Sequence, residues 1–148
     1  MRWKTELARL AGYLLDTNVI SETVRARPDA NVMRWLDSLQ PEQLHVSVLS
    51  LGEIRQGALM VADAALRIKL LDWLENDLAQ WFESRVLPQD EAVAAQWAAL
   101  MAEATQPLPA IDSLLAATAA CADLVVATRN VRDFDRMRVS VLNPWAAA

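Results

Sequence analysis

Four acidic residues follow short apolar segments of this chain, at points where buried strands are predicted to end. They are Asp16, Glu53, Asp112 and Asp133. In an open parallel α/β sheet the carboxyl ends of the strands share one edge, and ligands bind along that edge. We therefore expect the four carboxylates to converge, although they come from distant segments of the chain.

Converging carboxylates repel one another, and their burial is costly unless a cation lies between them. Hard divalent cations prefer oxygen ligands, so the pattern predicts a site for Mg²⁺ or Mn²⁺. A metal ion held in this way lowers the pKa of bound water and stabilises charge on a phosphoryl group. Hydrolysis of a phosphodiester is the first chemistry that these residue types indicate.

Each acid taken alone also has a purely structural interpretation. Carboxylates near helix N-termini are stabilised by capping and by the helix dipole. Glu53 has the strongest alternative of this kind, because it lies three residues after Ser50 in the spacing of a capping box. The prediction of a metal site therefore depends on all four acids following strands of one sheet.

The composition is that of a single soluble domain. At 148 residues the chain is long enough to bury a core, and its hydrophobic fraction of 54% excludes a disordered protein. No apolar segment reaches the roughly 18 residues that a membrane-spanning helix needs. The charged N-terminus lacks the apolar core of a signal peptide. We therefore expect a cytoplasmic protein without membrane association.

The net charge of −5 argues against broad, non-specific binding of nucleic acid, but it is compatible with a cluster of metal-binding acids. The arginines are nevertheless concentrated near Asp16 and Asp133. Arginines there could contact phosphates close to a metal ion, and a solvated charged face is the alternative for each of them. The candidate RNA contacts are Arg25, Arg27, Arg129 and Arg132.

Strand-like and helix-like segments alternate along the chain. Strands are predicted at 13–15, 44–48, 124–128 and 139–142, and the apolar run 108–111 is expected to form the strand before Asp112. Amphipathic spacing predicts helices between the strands, including a long one at 63–82. Residues 86–87 are predicted to be a short extended link. The alternation predicts an α/β fold with a mostly parallel central sheet covered by helices on both faces.

Other phosphate and hydrolase chemistries fit the sequence less well. A haloacid-dehalogenase phosphatase needs a second aspartate where this chain has Asn18, and a receiver domain needs a C-terminal lysine, whereas the lysines are Lys4 and Lys69. Neither glycine-rich nucleotide-binding motif is present. His45 is the only histidine and has no supporting motif, and Cys121, the only cysteine, excludes an intramolecular disulfide.

Four local sequences resemble the PIN-domain ribonucleases of bacterial toxin–antitoxin pairs, of the VapC and FitB type. They occur in family order and cover about residues 12–145, so we expect a single PIN-like domain there and an N-terminal extension at 1–11. The four matches are Leu14-Leu15-Asp16-Thr17-Asn18-Val19-Ile20-Ser21-Glu22, Ser50-Leu51-Gly52-Glu53-Ile54-Arg55-Gln56-Gly57, Ile111-Asp112-Ser113-Leu114-Leu115-Ala116-Ala117-Thr118-Ala119, and Ala127-Thr128-Arg129-Asn130-Val131-Arg132-Asp133-Phe134, which Val141-Leu142-Asn143-Pro144-Trp145 follows.

The resemblance implies roles for individual residues. The catalytic acids would be Asp16, Glu53, Asp112 and Asp133. Of these, Asp16, Asp112 and Asp133 would hold one or two Mg²⁺ ions, and Glu53 would complete the site and orient the attacking water. Some members of the family carry the fourth acid at the position of Asn130 instead. The residues that would orient the acids, without binding the metal ion themselves, are Thr17, Asn18, Thr128 and Asn130.

The resemblance also implies a substrate and partners. The expected activity is cleavage of single-stranded or loop RNA to 5′-phosphate and 3′-hydroxyl ends. The expected partners are a VapB/FitA-like antitoxin and a second copy of the chain, with DNA bound only indirectly through the antitoxin. The alternative is a non-catalytic co-repressor that works only in the antitoxin–DNA complex. The intact set of acids favours the enzyme, because a pure binding protein has little reason to tolerate their repulsion.

Overall fold

The structure is a computed structural model that describes residues 12–146. The predicted extension at residues 1–11 lies outside the described residues, so it stays a prediction together with the domain boundaries. Within residues 12–146, no helix combines the length and the apolar character that crossing a membrane requires.

The centre of the fold is a sheet of five parallel strands in the order β3-β2-β1-β4-β5. The chain adds β2 and β3 on one side of β1, and then β4 and β5 on the other. The topological switch point therefore lies between β1 and β4, where a ligand crevice is expected. The strands are β1 (Tyr13–Leu15), β2 (Leu44–Ser47), β3 (Val86–Leu87), β4 (Val125–Ala127) and β5 (Val141–Leu142).

Helices occupy most of the chain between the strands. The segment 64–82 runs as one rod, as predicted, although Trp73–Leu78 has wider π-helical geometry. A single 3₁₀ turn, Pro41–Gln43, leads into β2. The helices are α1 (Thr17–Glu22), α2 (Ala30–Asp37), α3 (Val48–Leu59), α4 (Ala64–Asp72), α5 (Ala79–Phe82), α6 (Glu91–Glu103), α7 (Ala110–Ala122) and α8 (Val131–Phe134).

The core is divided by the sheet into two apolar clusters. Successive residues of a strand point to opposite faces, so Tyr13 and Leu15 join one cluster while Leu14 joins the other. The first cluster packs against α1, α2, α3 and the 64–82 rod, and the second packs against α6, α7 and α8. The prediction of a parallel sheet covered by helices on both faces is therefore confirmed.

Two short segments differ from the prediction. The run 108–111 is not a strand, because α7 begins at Ala110 and Pro109 precedes it with the fixed φ of −57° that suits a helix entry. Residues 86–87 are not a simple link but the edge strand β3, where Val86 lies opposite Val46. A pair of apolar residues before a proline carries too little periodicity to reveal such a strand.

Gly12 sets the entry into β1. Its φ is +123°, and a Cβ there would overlap the main-chain carbonyl oxygen of Gln43. Replacing Gly12 by alanine should therefore lower the free energy of unfolding by about 1–3 kcal/mol. Urea denaturation measures the change. The matched control is Gly57→Ala on exposed α3, where nothing lies within 4 Å of the new methyl group and a gain of about 0.5–1 kcal/mol is expected. Equal effects at the two positions would contradict the conformational argument.

Candidate active site

Asp16 lies at the switch point of the sheet. It directly follows β1, and its main-chain N–H donates to the carbonyl oxygen of Ala127 at the end of β4 (2.9 Å). Its side chain caps α1, because Oδ1 accepts a hydrogen bond from the N–H of Thr17 (2.8 Å). Only 7% of Asp16 is exposed. The carboxylate is therefore buried at the meeting point of two strand ends.

Neutral donors surround the other oxygen of this carboxylate. The hydroxyl of Thr128, which follows β4, donates to Oδ2 of Asp16 (2.8 Å). The amide of Asn18 donates to the same oxygen at 3.5 Å and to the Thr128 hydroxyl at 3.3 Å. The main-chain N–H of Asn130 also donates to that hydroxyl (3.0 Å). The Thr128 hydroxyl thus accepts two hydrogen bonds and donates one to Asp16. These contacts fix the orientation of the carboxylate.

Glu53 approaches the site from α3. Its Oε1 accepts a hydrogen bond from the hydroxyl of Thr17 (2.8 Å), which links α3 to the start of α1. The capping-box interpretation of Glu53 is wrong, because the helix begins earlier than expected. Ser47 is the residue that caps α3, accepting from the N–H of Leu49, while Ser50 is buried inside the helix.

Asp112 lies in the first turn of α7 and not after a strand. The neighbouring Ser113 holds this turn in place, since its hydroxyl donates to the Ala110 carbonyl (2.8 Å) and accepts from the indole N–H of Trp97 (3.0 Å). Asp133 lies in α8, the short helix after β4. The expectation that all four acids directly follow strands is therefore wrong. Asp16 alone does so, and the others reach the same region from helices.

The four carboxylates interact electrostatically. Burial, together with the negative charges of Asp16, Asp133 and Glu53, raises the pKa of Asp112 to about 6. Burial also raises the pKa of Asp16, against hydrogen bonds from Thr128 and Thr17 that lower it, with Glu53 and Asp133 adding to the increase. The structure thus brings the four acids into one strongly negative region at the carboxyl edge of the sheet.

The arrangement is looser than a formed metal centre. Within residues 12–146, no three His, Cys, Asp or Glu side chains are grouped tightly enough to hold a metal ion. The available donors are nevertheless carboxylate oxygens, the type that Mg²⁺ and Mn²⁺ prefer. Their mutual repulsion is the property that a divalent cation would relieve, so the donor chemistry fits such an ion.

The candidate RNA contacts are distributed unevenly. Arg129 lies beside the site, because its main-chain N–H donates to Oδ1 of Asn18 (3.3 Å). Arg25 forms an ion pair with the buried Glu22 (3.4 Å), whose other oxygen accepts from the N–H of Asp29. Arg27 and Arg132 are exposed. Arg129 is the candidate that hydrogen bonds connect directly to the residues around Asp16.

One residue near the site was not identified from the sequence. Trp145 lies beneath the guanidinium of Arg129, with Cζ 5.2 Å from the ring centroid. Its carbonyl oxygen accepts from the side-chain amide of Asn31 at the start of α2 (2.9 Å). The available signal was its position directly after Asn143-Pro144, at the end of the last strand, rather than on a helical apolar face.

His45 takes no part in this cluster. It lies in β2, and its Nδ1 atom is buried without a hydrogen-bond partner among the described residues. Burial lowers the pKa of its imidazole. This position inside β2, away from the acids, agrees with a structural role.

The fold is that of a known class of protein. Residues 13–139 match the PIN domain, and the chain belongs to the PIN-domain family. Toxin FitB of Neisseria gonorrhoeae (strain ATCC 700825 / FA 1090) is 39% identical over 135 residues, which cover 89% of this chain and 97% of the relative. VapC ribonuclease Y4jK of Sinorhizobium fredii (strain NBRC 101917 / NGR234) is 35% identical over 138 residues, covering 91% and 99%. Within the family, the chain therefore belongs with the FitB and VapC toxins.

A solved structure agrees with this placement. FitAB bound to an IR36 DNA fragment contains a chain that superposes with a TM-score of 0.84 at 36% sequence identity. The match covers 92% of this chain and 97% of that chain. The similarity thus extends over nearly the whole length of both proteins.

Asp112→Asn should change stability in a pH-dependent way. The folded state raises the pKa of Asp112 from 3.8 to about 6, so it binds more protons than the unfolded chain between these values. Wild-type stability should therefore fall as the pH rises through this window. The metal-free variant should melt roughly 2–4 °C above wild type at neutral pH. Below about pH 4 the difference should vanish. Thermal unfolding across this range measures it.

The matched control for that comparison is Asp77→Asn, since Asp77 is exposed on the 64–82 rod. It should leave the melting temperature nearly unchanged at each pH. A pH-independent gain for Asp112→Asn would show that repulsion among the acids is not its cause.

Thr128→Val should destabilise the fold by about 1–3 kcal/mol, because it removes the hydroxyl that donates to buried Asp16 and accepts from the Asn130 N–H. Loss of this donor should raise the pKa of Asp16 further. The destabilisation should therefore be larger at neutral pH than in acid, because a pKa raised in the folded state costs stability above the unfolded-state pKa. Denaturant unfolding at both pH values measures it. Thr128→Ser keeps the hydroxyl and should lose much less stability; an equal loss would assign the effect to the methyl group.

Proposed function

We propose that this chain is the endoribonuclease toxin of a toxin–antitoxin pair, and that it hydrolyses phosphodiester bonds in single-stranded or loop RNA with a divalent metal ion. The observation that carries the proposal is the group of four interacting carboxylates at the carboxyl edge of the sheet. The nearly full-length similarity to a VapC ribonuclease supports the same assignment.

In this proposal Asp16, Asp112 and Asp133 hold Mg²⁺ or Mn²⁺, directly or through water. When bound, the metal ion supplies a water of lowered pKa and stabilises charge on the phosphoryl oxygens. Charge complementarity supports the assignment, since the neighbours that raise the pKa of Asp112 are all carboxylates. A divalent cation would lower that pKa again and keep Asp112 ionised at neutral pH.

The protein's own groups position the reactants. Thr128 and the Thr17 N–H hold the two oxygens of Asp16, so that acid keeps one orientation. Glu53, held by the Thr17 hydroxyl, completes the site and orients the attacking water. The water oxygen forms a new bond to phosphorus as the bond to the 3′ oxygen breaks. The products are a 5′-phosphate and a 3′-hydroxyl.

Selection of single-stranded or loop RNA is part of this proposal. Bases that are not paired can be splayed away from the backbone, which exposes the phosphodiester to an edge of this kind. Arginines supply phosphate contacts in this proposal. The candidates are Arg25, Arg27, Arg129 and Arg132, among which Arg129 lies beside Asn18.

A VapB/FitA-like antitoxin is the proposed protein partner, and a homodimer is the proposed oligomeric state. The DNA-bound FitAB structure supports an assembly of this type, in which this chain would meet DNA only through the antitoxin. Exposed apolar side chains near the junction of α3 and α4 support a protein interface, since Met60 is 76% exposed and Ile68 is 67% exposed.

The decisive experiment uses antitoxin-free protein with total and transfer RNA, in Mg²⁺, in Mn²⁺ and in EDTA. Wild-type protein should give discrete cleavage that EDTA abolishes. Asp16→Asn and Asp112→Asn should each lower the rate by at least about 100-fold, because each removes a negative ligand from the site. Cleavage that persists in Asp112→Asn would expose a contaminating nuclease, whereas Asp77→Asn, made in parallel, should cleave like wild type.

The same samples show whether metal binds. Mg²⁺ at ten times its dissociation constant should stabilise wild-type protein by about 1.4 kcal/mol and should stabilise Asp112→Asn less. Metal binding without any cleavage would contradict the enzyme and favour the co-repressor, for which the DNA-bound FitAB structure is the supporting observation. Added antitoxin should suppress cleavage by the enzyme, whereas a co-repressor has no cleavage to suppress.

A further inference from the structure

We propose that Trp145 is a positioning residue that holds the guanidinium of Arg129 at the rim of the acid cluster, where it binds a phosphate of single-stranded RNA. This inference rests on the proposed function and adds to it a particular phosphate contact and the residue that orients it. It is carried by the contact between Arg129 and Trp145 and by the hydrogen bonds that fix both residues.

The main chain of Arg129 is held next to the acids. Its N–H donates to Oδ1 of Asn18 (3.3 Å), and Asn18 donates in turn towards Asp16. The preceding residue is Thr128, whose hydroxyl donates to the same carboxylate. Arg129 therefore directly follows Thr128, the residue whose hydroxyl donates to Asp16.

An arginine in this position has a competing partner. Guanidinium groups form strong charge-assisted hydrogen bonds with carboxylates, and four interacting carboxylates lie nearby. Among residues 12–146, however, no ion pair joins Arg129 to any of the four acids. The guanidinium lies instead over the Trp145 ring, with Cζ 5.2 Å from its centroid. The indole thus holds the cation outside the cluster and leaves the acids available for metal.

Hydrogen bonds hold both main-chain polar groups of Trp145. Its N–H donates to the side chain of Asn143 (2.9 Å), and its carbonyl accepts from the side chain of Asn31 (2.9 Å). The ring packs against the apolar cluster that contains β1 and α2. The strand before it is joined to the site as well, because the N–H of Thr128 donates to the carbonyl of Leu142 (3.0 Å). The indole is therefore a rigid support and not a freely rotating surface group.

The contact leaves the hydrogen-bonding capacity of Arg129 intact. A guanidinium stacked on an aromatic ring uses its π face, while its N–H groups point outward in its own plane. The N–H groups along the edge of the guanidinium can donate to two oxygens of one phosphate. A backbone phosphate next to the scissile bond is the ligand that fits, since the arginine lies on the rim of the cluster where the phosphodiester must be bound.

The test is a double-mutant cycle on RNA binding in the Asp112→Asn background. Fluorescence anisotropy measures the affinity for a labelled single-stranded RNA of mixed sequence, in Mg²⁺ and over a range of salt. Arg129→Gln should weaken binding by roughly 5–10-fold and reduce the salt slope by about one phosphate contact. Trp145→Leu should weaken binding similarly when Arg129 is present and should add little when Arg129 is already Gln. Trp145→Phe should keep most of the affinity.

Four results would overturn the inference. Additive losses from Arg129→Gln and Trp145→Leu would mean that Trp145 stacks on a base by itself. Undiminished affinity in Arg129→Gln would mean that this arginine contacts no phosphate. Equal losses for Trp145→Leu and Trp145→Phe would point to a packing role. The absence of RNA binding in the parent protein would also count against the contact.

An NMR measurement tests the contact directly, and the cleavage assay separates this inference from the proposed function. In NMR spectra the Arg129 Nε–Hε signal should be shifted upfield by the indole ring, and it should lose that shift in Trp145→Leu but retain part of it in Trp145→Phe. Non-additive losses of RNA affinity in Arg129→Gln and Trp145→Leu, without metal-dependent cleavage by wild-type protein, would support the contact and contradict the nuclease. Metal-dependent cleavage together with additive losses of RNA affinity in the double-mutant cycle would support the nuclease and contradict the contact.

Discussion

Repulsion among carboxylates is the constraint around which the rest of this structure is arranged. Asp16 is buried and Asp112 is partly buried, and burial raises the pKa of both; the charges of Glu53 and Asp133 raise both pKa values as well, and the charge of Asp16 adds to the increase at Asp112. A divalent cation bound at this place would offset the repulsion. The fold tolerates it because the hydroxyl of Thr128 and the N–H of Thr17 stabilise the most buried member, and because Glu53 remains exposed.

The sheet decides which groups can meet. Since β1 lies between β2 and β4, its end is flanked by both, and the switch point lies on the β4 side. Asp16 and Thr128 come from these two strand ends and are 112 positions apart in the chain. Helices then bring Glu53, Asp112 and Asp133 to the same edge from both faces of the sheet. The chemistry therefore depends on packing in the two apolar clusters as much as on the acids themselves.

The sequence predicted the α/β fold, the parallel sheet and the 64–82 rod because long amphipathic patterns and buried strands are strongly periodic. It failed at Leu108–Ile111 and at Val86–Leu87, where short apolar segments carry almost no periodicity and prolines and tertiary pairing decide. The sequence predicted that the four acids would lie near one another, although only Asp16 directly follows a strand, and it did not predict the contact between Arg129 and Trp145. A cation–π contact joins residues from different segments, and nothing in the local sequence specifies it. The metal ligands and the domain boundaries stay predictions.

The order of the chain has a consequence for synthesis. The central strand β1 is made early, yet Thr128, whose hydroxyl donates to Asp16, is 112 positions further along the chain, directly after the neighbouring strand β4. A chain emerging from the ribosome lacks such contacts of large sequence separation until the later segment has been released. A nascent or truncated chain that ends before Thr128 would expose Asp16 without its hydroxyl donor and without β4 beside it. Assembly of the acid cluster is therefore coupled to synthesis of the segment that contains β4 and Thr128.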